Sequence, residues 1–428
     1  MNTGANRPGS ADDPIARFYE EHPYPAPVAN LDADREEWSS PLRRRAEYHL
    51  LYGTREYRED LDILVAGCGT FQAVRHALRW PNARVVGIDV SETSVRHTEE
   101  LRERHSVGNL AVHVLPIERV SELKRDFDLV ICTGVLHHLA DPDIGLRSLR
   151  DVLRPGGAML IMVYAPYGRT GVKMMQEYSR LLGVGTTDDG IRDFALTLKE
   201  IPEDHPLDPL LRRSPDFRHL DAVADALLNP RERTYSVPEL LAYIDRTGLF
   251  FGRWYRQAPY SPQCGSPAIT PHAERLRGLA PDEQYAAVEL FRGSMVRHSA
   301  VVHRADDDEQ FWRYLPGPNE VMDAVPIRLP HTLTIGERLP PGAAAVLINR
   351  SHTYPDLVLP VDATEKSVVE AIDGHRSVAD LADLTLAKTG TLDTIGFIER
   401  LYRYDQIVLA SPDAKQPIAA VEGYLPNV

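Results

Sequence analysis

The 428-residue sequence predicts an α/β protein: a parallel sheet of βαβ units within residues 61–304, followed by a small α+β domain over 329–428. Three observations carry this. Short β-rich runs alternate with helix-length segments from Leu61 to about Ala165. Most of these runs end in or lead into Gly, Ser, Pro or Thr, which suit the loops at the carboxyl ends of strands, where open α/β sheets bind ligands. After the acidic stretch Ala305 to Glu309 the pattern changes.

The strands are LDILVAG (Leu61 to Gly67), ARVVGIDV (Ala83 to Val90), LAVHVLP (Leu110 to Pro116), FDLVICTG (Phe127 to Gly134) and AMLIMVYA (Ala158 to Ala165). Residues 1–60 form an arm ahead of them, with a polar, Pro/Gly-rich and flexible start. From Pro166 to Tyr235 the β rhythm gives way to Pro-interrupted helical stretches, TGVKMMQEYSRLLG and HLDAVADALLNP, read as an insertion. The helix SVPELLAYIDRTG follows, opened by Ser236 and closed by Gly248, and then the aromatic strand LFFGRWYRQ. HSAVVHR (His298 to Arg304) completes the sheet after a second insertion, 258–295. Residues 305–328 read as a linker. Beyond it, AAVLINR and DLVLPV read as strands, TEKSVVEAID, SVADLADLTLA and IGFIERLYRYD as helices, and QIVLA as a closing strand. This element order suits a winged-helix-like α+β domain.

Composition narrows the function classes. Lys+Arg 48 against Asp+Glu 62 leaves a net charge of −14, which disfavours nucleic acid as a partner. Three separated cysteines, Cys68, Cys132 and Cys264, give no zinc-ribbon pair, and all three read as inert thiols. The sequence has no apolar run of membrane-spanning length and no signal-peptide pattern, so a cytoplasmic protein without membrane contact is expected.

Gly67-Cys68-Gly69-Thr70 follows the first strand, where paired glycines let a ligand approach the backbone. A dinucleotide fingerprint would need a third glycine at position 72, which is Gln72. Asp89 ends the second strand at the spacing that sets a carboxylate beside a ribose, or else caps the next helix.

AGCGT, GIDVS, FDLVICTGVLHHLADP and LRDVLRPGGAMLI, in this order and spacing, resemble the class I S-adenosylmethionine-dependent methyltransferases over about Leu61 to Arg304. The resemblance implies a Rossmann-like sheet with S-adenosylmethionine as cofactor. In it Gly67, Cys68 and Gly69 pass the methionine portion, and Asp89 with Val90 meets the ribose. Ile117 and Glu118 flank the adenine, and Thr133, Gly134 and His138 lie near the methionine amino group and sulfonium. Two positions depart from the family pattern: Val65 stands where an acidic residue is common, and Phe71 replaces the third glycine.

In-line methyl transfer needs alignment and exclusion of water, and no metal. A neutral acceptor must also lose a proton, and His137 is the favoured general base. In the arm, Tyr19, His22 and Tyr24 are candidates for a lid over cofactor or acceptor, with Tyr24 also in a catalytic position, or else they pack the arm on the core. Tyr164 and Tyr167 leave the fifth strand toward the acceptor space. Arg169 either takes an acceptor carboxylate bidentately or pairs with a carboxylate of the insertion. Tyr260 is a further substrate-binding candidate. The C-terminal segment weakly resembles winged-helix peptide-binding domains. The leading expectation is methylation of a small-molecule metabolite at O, N or C. The alternatives are a peptide or protein methyltransferase whose C-terminal domain recruits the substrate, and a non-catalytic cofactor-binding protein. A homodimer is also compatible with the sequence.

Overall fold

The computed structural model describes residues 13–307, 314–317, 320–389 and 393–411. The expected flexible start therefore lies, up to residue 12, outside the described residues, as does the chain end after 411. The first helices are α1 (Pro14–Glu21), α2 (Asp32–Glu37), α3 (Pro41–Tyr52), α4 (Gln72–Arg79), α5 (Glu92–Arg104) and α6 (Pro142–Asp151). Next come α7 (Thr170–Leu182), α8 (Asp188–Thr197), α9 (Asp208–Arg213), α10 (Leu220–Leu228) and α11 (Val237–Arg246). The last are α12 (Ala273–Arg277), α13 (Pro281–Arg292), α14 (Ala363–Ala371), α15 (Val378–Thr389) and α16 (Thr394–Arg403). No helix among the described residues is long and apolar enough to cross a membrane.

The chain forms two compact units. Among the described residues the first contains 13–35, 59–254 and 279–307, and the second contains 36–58, 255–278 and everything from 314 onward. The linear division expected from the sequence is thus corrected. The arm is shared between the units, and the second insertion is split near residue 278, because contacts between distant segments decide compactness.

In the first unit seven strands stand in the order β3-β2-β1-β4-β5-β7-β6. They are β1 (Asp62–Ala66), β2 (Arg84–Asp89), β3 (Leu110–Val114), β4 (Phe127–Thr133), β5 (Leu153–Tyr164), β6 (Leu249–Trp254) and β7 (Arg297–Arg304). β1 pairs in parallel with β2 and β4, β2 with β3, and β4 with β5. β7 lies antiparallel between β5 and β6. Every residue of β1 is buried, and β4 is buried up to Thr133, as continuous apolar runs in a covered parallel sheet should be. Each fully buried side chain such as Phe127 or Leu129 contributes about 1.5–3 kcal/mol.

Charge fastens the amino ends of these strands. Asp62 accepts two hydrogen bonds from Arg84 at 2.7 and 2.8 Å and pairs with Arg125 at 3.0 Å and Arg154 at 2.8 Å. The Arg84 bonds, with Arg154 beside them, hold its carboxyl well below the usual carboxylate range. The opposite, carboxyl ends of the parallel strands are left for loops. Capping fixes where helices leave those loops: Ser91 accepts from the Ser94 N–H at α5, and Asp141 from the Ile144 N–H at α6.

The first insertion is helical as expected, with α7 closed by the left-handed Gly183, and it contains the additional helices α8 and α9. Val172, Met175, Ile191, Phe194, Leu207, Val223 and Leu227 from the insertion pack around Phe18 of α1, so arm and insertion share one apolar cluster.

The second unit carries β9 (Thr332–Ile335), β10 (Ala345–Asn349) and β11 (Val358–Val361) as an antiparallel sheet in the order β11-β10-β9. In addition β8 (Val325–Arg328) pairs antiparallel with β12 (Ile407–Ala410). Leu347, Leu359, Val368, Val369, Phe397, Ile398 and Leu401 form one core, and Ala46 and Leu50 of α3 pack with Val325, Ile327 and Val408 in another. The three expected helices and the closing strand are present. The assignment of 305–328 to a linker is corrected at its end, since β8 is a buried strand. β9 is a further strand, so four strands precede the helices where two were expected.

Candidate functional site

The loop after β1 is built by hydrogen bonds to the end of β2. Gly67 and Cys68 donate their N–H groups to the Ile88 carbonyl at 2.8 and 2.9 Å, and the Gly69 N–H donates to Asp89 Oδ2 at 2.8 Å. Asp89 Oδ1 accepts from the Ser91 N–H at 3.0 Å, so one carboxylate fixes both the glycine loop and the entry to α5. Burial pushes the Asp89 carboxyl up, while the N–H groups of Ser91, Gly69 and Val90 draw it back down. Gly67 and Gly69 have φ of +69° and +54°. A Cβ at Gly67 would stand 2.2 Å from Val135 Cγ2, and one at Gly69 would stand 2.9 Å from the Tyr24 carbonyl oxygen. Glycine is required at both positions by conformation and by space.

Phe71 shows why the third glycine is dispensable. Its φ is −154°, open to any residue, and its ring is buried beneath the Arg75 guanidinium at 4.8 Å. Phe71→Gly is therefore expected to cost about 3–5 kcal/mol of stability, the range for deleting a buried aromatic ring, as read by denaturant unfolding. Unchanged stability would show that the ring is a spacer.

At the end of β4, Thr133 Oγ1 donates to Gln72 Oε1 at 3.1 Å. Gly134 has φ +84°, and a Cβ there would meet Met162 Cε at 3.6 Å and no closer atom, so the strand end faces open space. Ile117 is buried and Glu118 half-buried in a 3-10 turn after β3, and burial raises the Glu118 carboxyl. These positions fit S-adenosylmethionine: a carboxylate with lone pairs left over, glycines that keep the loop free of side chains, and a half-open strand end.

Beyond Gly134 the chain turns through His137 and His138, which are 0% and 1% exposed. His138 Nδ1 donates to the Arg231 carbonyl at 2.6 Å, while its Nε2 and both nitrogens of His137 meet no hydrogen-bond partner among the described residues. The His137 ring lies 4.2 Å from that of His138 and 4.0 Å from that of Tyr164. Burial above all, then His138 and Arg169, lowers the His137 pKa well below that of free histidine, so its ring is neutral at pH 7. A neutral imidazole with an open lone pair can accept a proton.

The arm and the insertion reach the same place. Thr70 Oγ1 donates to the Pro25 carbonyl at 2.7 Å, holding the segment after Tyr24 on the glycine loop. The Tyr19 hydroxyl donates to Asp225 Oδ1 at 2.8 Å and accepts from Asn229 at 3.2 Å, and its ring meets His138 edge-on at 6.0 Å. Burial raises the Tyr19 phenol well above its ordinary value, with the Asp225 charge adding to it. Tyr24 lies close enough to Tyr164 to help raise the phenol of that residue, whose main cause is burial. His22 Nε2 donates to the Thr186 carbonyl at 2.8 Å and so ties arm to insertion. The insertion returns over the ends of β4 and β5: the N–H of Arg233 donates to the His137 carbonyl at 3.0 Å, and that of Tyr235 to the Tyr164 carbonyl at 2.9 Å.

Arg169 has no fork to spare. Its guanidinium lies 3.6 Å from the Tyr164 ring centroid and is held by Glu232 at 2.6 Å, with both side chains almost fully buried. Of the two readings, pairing with a carboxylate of the insertion is the geometry present, and a bidentate clamp on an acceptor is corrected. Arg169→Ala would strand Glu232, so we expect a loss of about 3–5 kcal/mol in unfolding measurements, largely recovered in Arg169→Met/Glu232→Leu. A fully stable single variant would contradict this.

Tyr167 remains 41% exposed beside this buried cluster, and Tyr260 belongs to the second unit. All three cysteines are buried, and burial pushes the Cys132 thiol up to about 12, which keeps it from acting as a thiolate. Asp225, Asn229 and Glu232 were not singled out by the sequence. Asp225 lies inside a helical stretch whose closing Asn229-Pro230 pair signals only a turn.

Residues 64–159 match the family model described as a methyltransferase domain. The chain is 27% identical over 339 residues to an uncharacterized protein of Synechococcus sp., covering 76% of this chain and 81% of that one. It is 34% identical over 146 residues to the tRNA U34 carboxymethyltransferase of Methylococcus capsulatus, covering 33% of this chain and 42% of that enzyme. Among solved structures, PKMT2 from Rickettsia typhi in complex with AdoHcy superposes with a TM-score of 0.60 at 15% identity, covering 86% of this chain and 73% of that one, a likeness of fold. With the strand order, the glycine loop on Asp89 and the matched model together, the chain carries a methyltransferase domain of the class I fold, with S-adenosylmethionine as its cofactor.

Proposed function

We propose that this methyltransferase acts on a small-molecule acceptor enclosed between the arm, the ends of β4 and β5, and the first insertion. The observation that carries the reading is the buried His137, whose two ring nitrogens meet no hydrogen-bond partner among the described residues and whose ring packs on those of Tyr164 and His138, with Tyr19 against His138 in turn. Enclosed sites with few polar groups suit small ligands. S-adenosylmethionine supplies an activated methyl group when bound. Asp89 and the glycine loop hold it, His137 takes the proton of an O–H or N–H acceptor, and the arm and insertion keep water out.

The test uses pure protein, methyl-labelled S-adenosylmethionine and a cell extract divided by ultrafiltration into small-molecule and peptide-plus-protein fractions. Label entering the small-molecule fraction supports the reading. Label entering only the other fraction points to a peptide or protein acceptor and overturns it.

A further inference from the structure

Asp225 on α10 is 3% exposed. Its two oxygens face neutral donors, the Tyr19 hydroxyl at 2.8 Å and the Tyr164 hydroxyl at 3.5 Å. Among the described residues no cation pairs with it. The arginines that the insertion brings to this end of the sheet are spent elsewhere: Arg169 on Glu232, Arg231 on Asp13, and Arg233 on the carbonyls of Leu139 and Ala140. A buried carboxylate without a countercharge is costly, and the cost falls when a positive ligand group enters the same low-dielectric space.

The position of Asp225 says where that group would be. Tyr164 is the last residue of β5, next to the β4 end that carries Thr133 and Gly134, and its ring packs at a tilt against that of His137, 4.0 Å between centroids. Tyr19 belongs to the arm whose Tyr24-Pro25 backbone lies on Gly69. The two tyrosines thus hold the carboxylate at the edge of the methyl-transfer enclosure, while Asn229 pins the Tyr19 hydroxyl from the other side.

We propose that Asp225 is the countercharge for the positive sulfonium of S-adenosylmethionine, so that this site distinguishes the charged donor from its product S-adenosylhomocysteine, which is neutral at sulfur. The electrostatic gain disappears once the methyl group has left, which favours product release over rebinding. The proposal rests on the transfer centre lying at the ends of β4 and β5, and not on the class of acceptor.

Calorimetry with the full chain and no acceptor tests it. The wild-type protein should bind S-adenosylmethionine more tightly than S-adenosylhomocysteine. Asp225→Asn, nearly isosteric, should weaken the donor by about tenfold or more while leaving the product within about threefold. Asp225→Glu should keep most of the discrimination. A wild-type protein that binds the two equally, or an Asp225→Asn variant that loses both equally, overturns the proposal and leaves Asp225 as a tether for the tyrosines. If the wild-type protein binds neither compound, the cofactor site fails and this proposal with it. The acceptor reading is tested separately by the labelled-methyl assay.

Discussion

His137→Gln is expected to lower kcat by about 10²–10⁴-fold, the range for losing a positioned general base, while cofactor affinity and melting temperature stay close to wild type. His137 is fully buried. Among the described residues the ring has no hydrogen-bond partner to lose, so the substitution breaks none of their bonds, and the amide is similar in size. The pH profile adds a second reading. Burial, His138 and Arg169 depress the folded-state pKa below 6.5, so His137 stays an unprotonated base as pH falls past that value. Its activity should be retained through pH 6.5 and lost only as pH reaches the depressed value. In the unfolded chain the same histidine takes a proton near 6.5, so this group contributes stability above that pH and progressively less below it, down to the folded pKa. A kcat limb with its midpoint at 6.5, or a glutamine variant of full activity, would remove His137 from the chemistry.

Asp89→Ala is expected to weaken S-adenosylmethionine binding by about 1.5–3 kcal/mol, or about 10- to 150-fold, the range for hydrogen bonds to a charged group. Two effects add. Hydrogen bonds from the ribose hydroxyls are lost, and the Gly69 and Ser91 N–H groups that the carboxylate holds are released. Asp89→Asn separates them, since the amide oxygen keeps one backbone bond while the charge is gone. Calorimetry on folded variants reads both, and unchanged affinity would take Asp89 out of the site.

What was legible in the sequence was local. β1 and β4 are apolar runs buried along almost their whole length, β2, β3 and β5 are apolar runs buried in part, and Gly67, Gly69 and Asp89 lie at the ends of such runs, so spacing alone locates them. The closing part of the site is non-local. Asp225 and Glu232 acquire meaning only when the insertion returns over β4 and β5, and nothing in the neighbourhood of either residue says that a tyrosine of the arm or an arginine after β5 will meet it. Arg169 shows the same limit: a strand-end arginine is a ligand clamp or half of an ion pair according to a partner 63 positions away. β8 and β9 were missed for a simpler reason. Each has four residues, β8 contains Pro326, and β9 is only half-buried, so neither makes a recognisable apolar pattern. Phe71 broke a motif that needs glycine only where φ is positive, and there it is not.

The central claim is that the donor sulfur faces the enclosure of His137, Tyr164 and Tyr19. A crystal structure with S-adenosylhomocysteine tests it most directly. The account predicts ribose hydroxyls on Asp89, adenine beside Ile117 and Glu118, and sulfur past Gly134, pointing toward His137 with Asp225 behind the tyrosines. A ligand whose sulfur points away from His137, or whose ribose leaves Asp89 untouched, would contradict it.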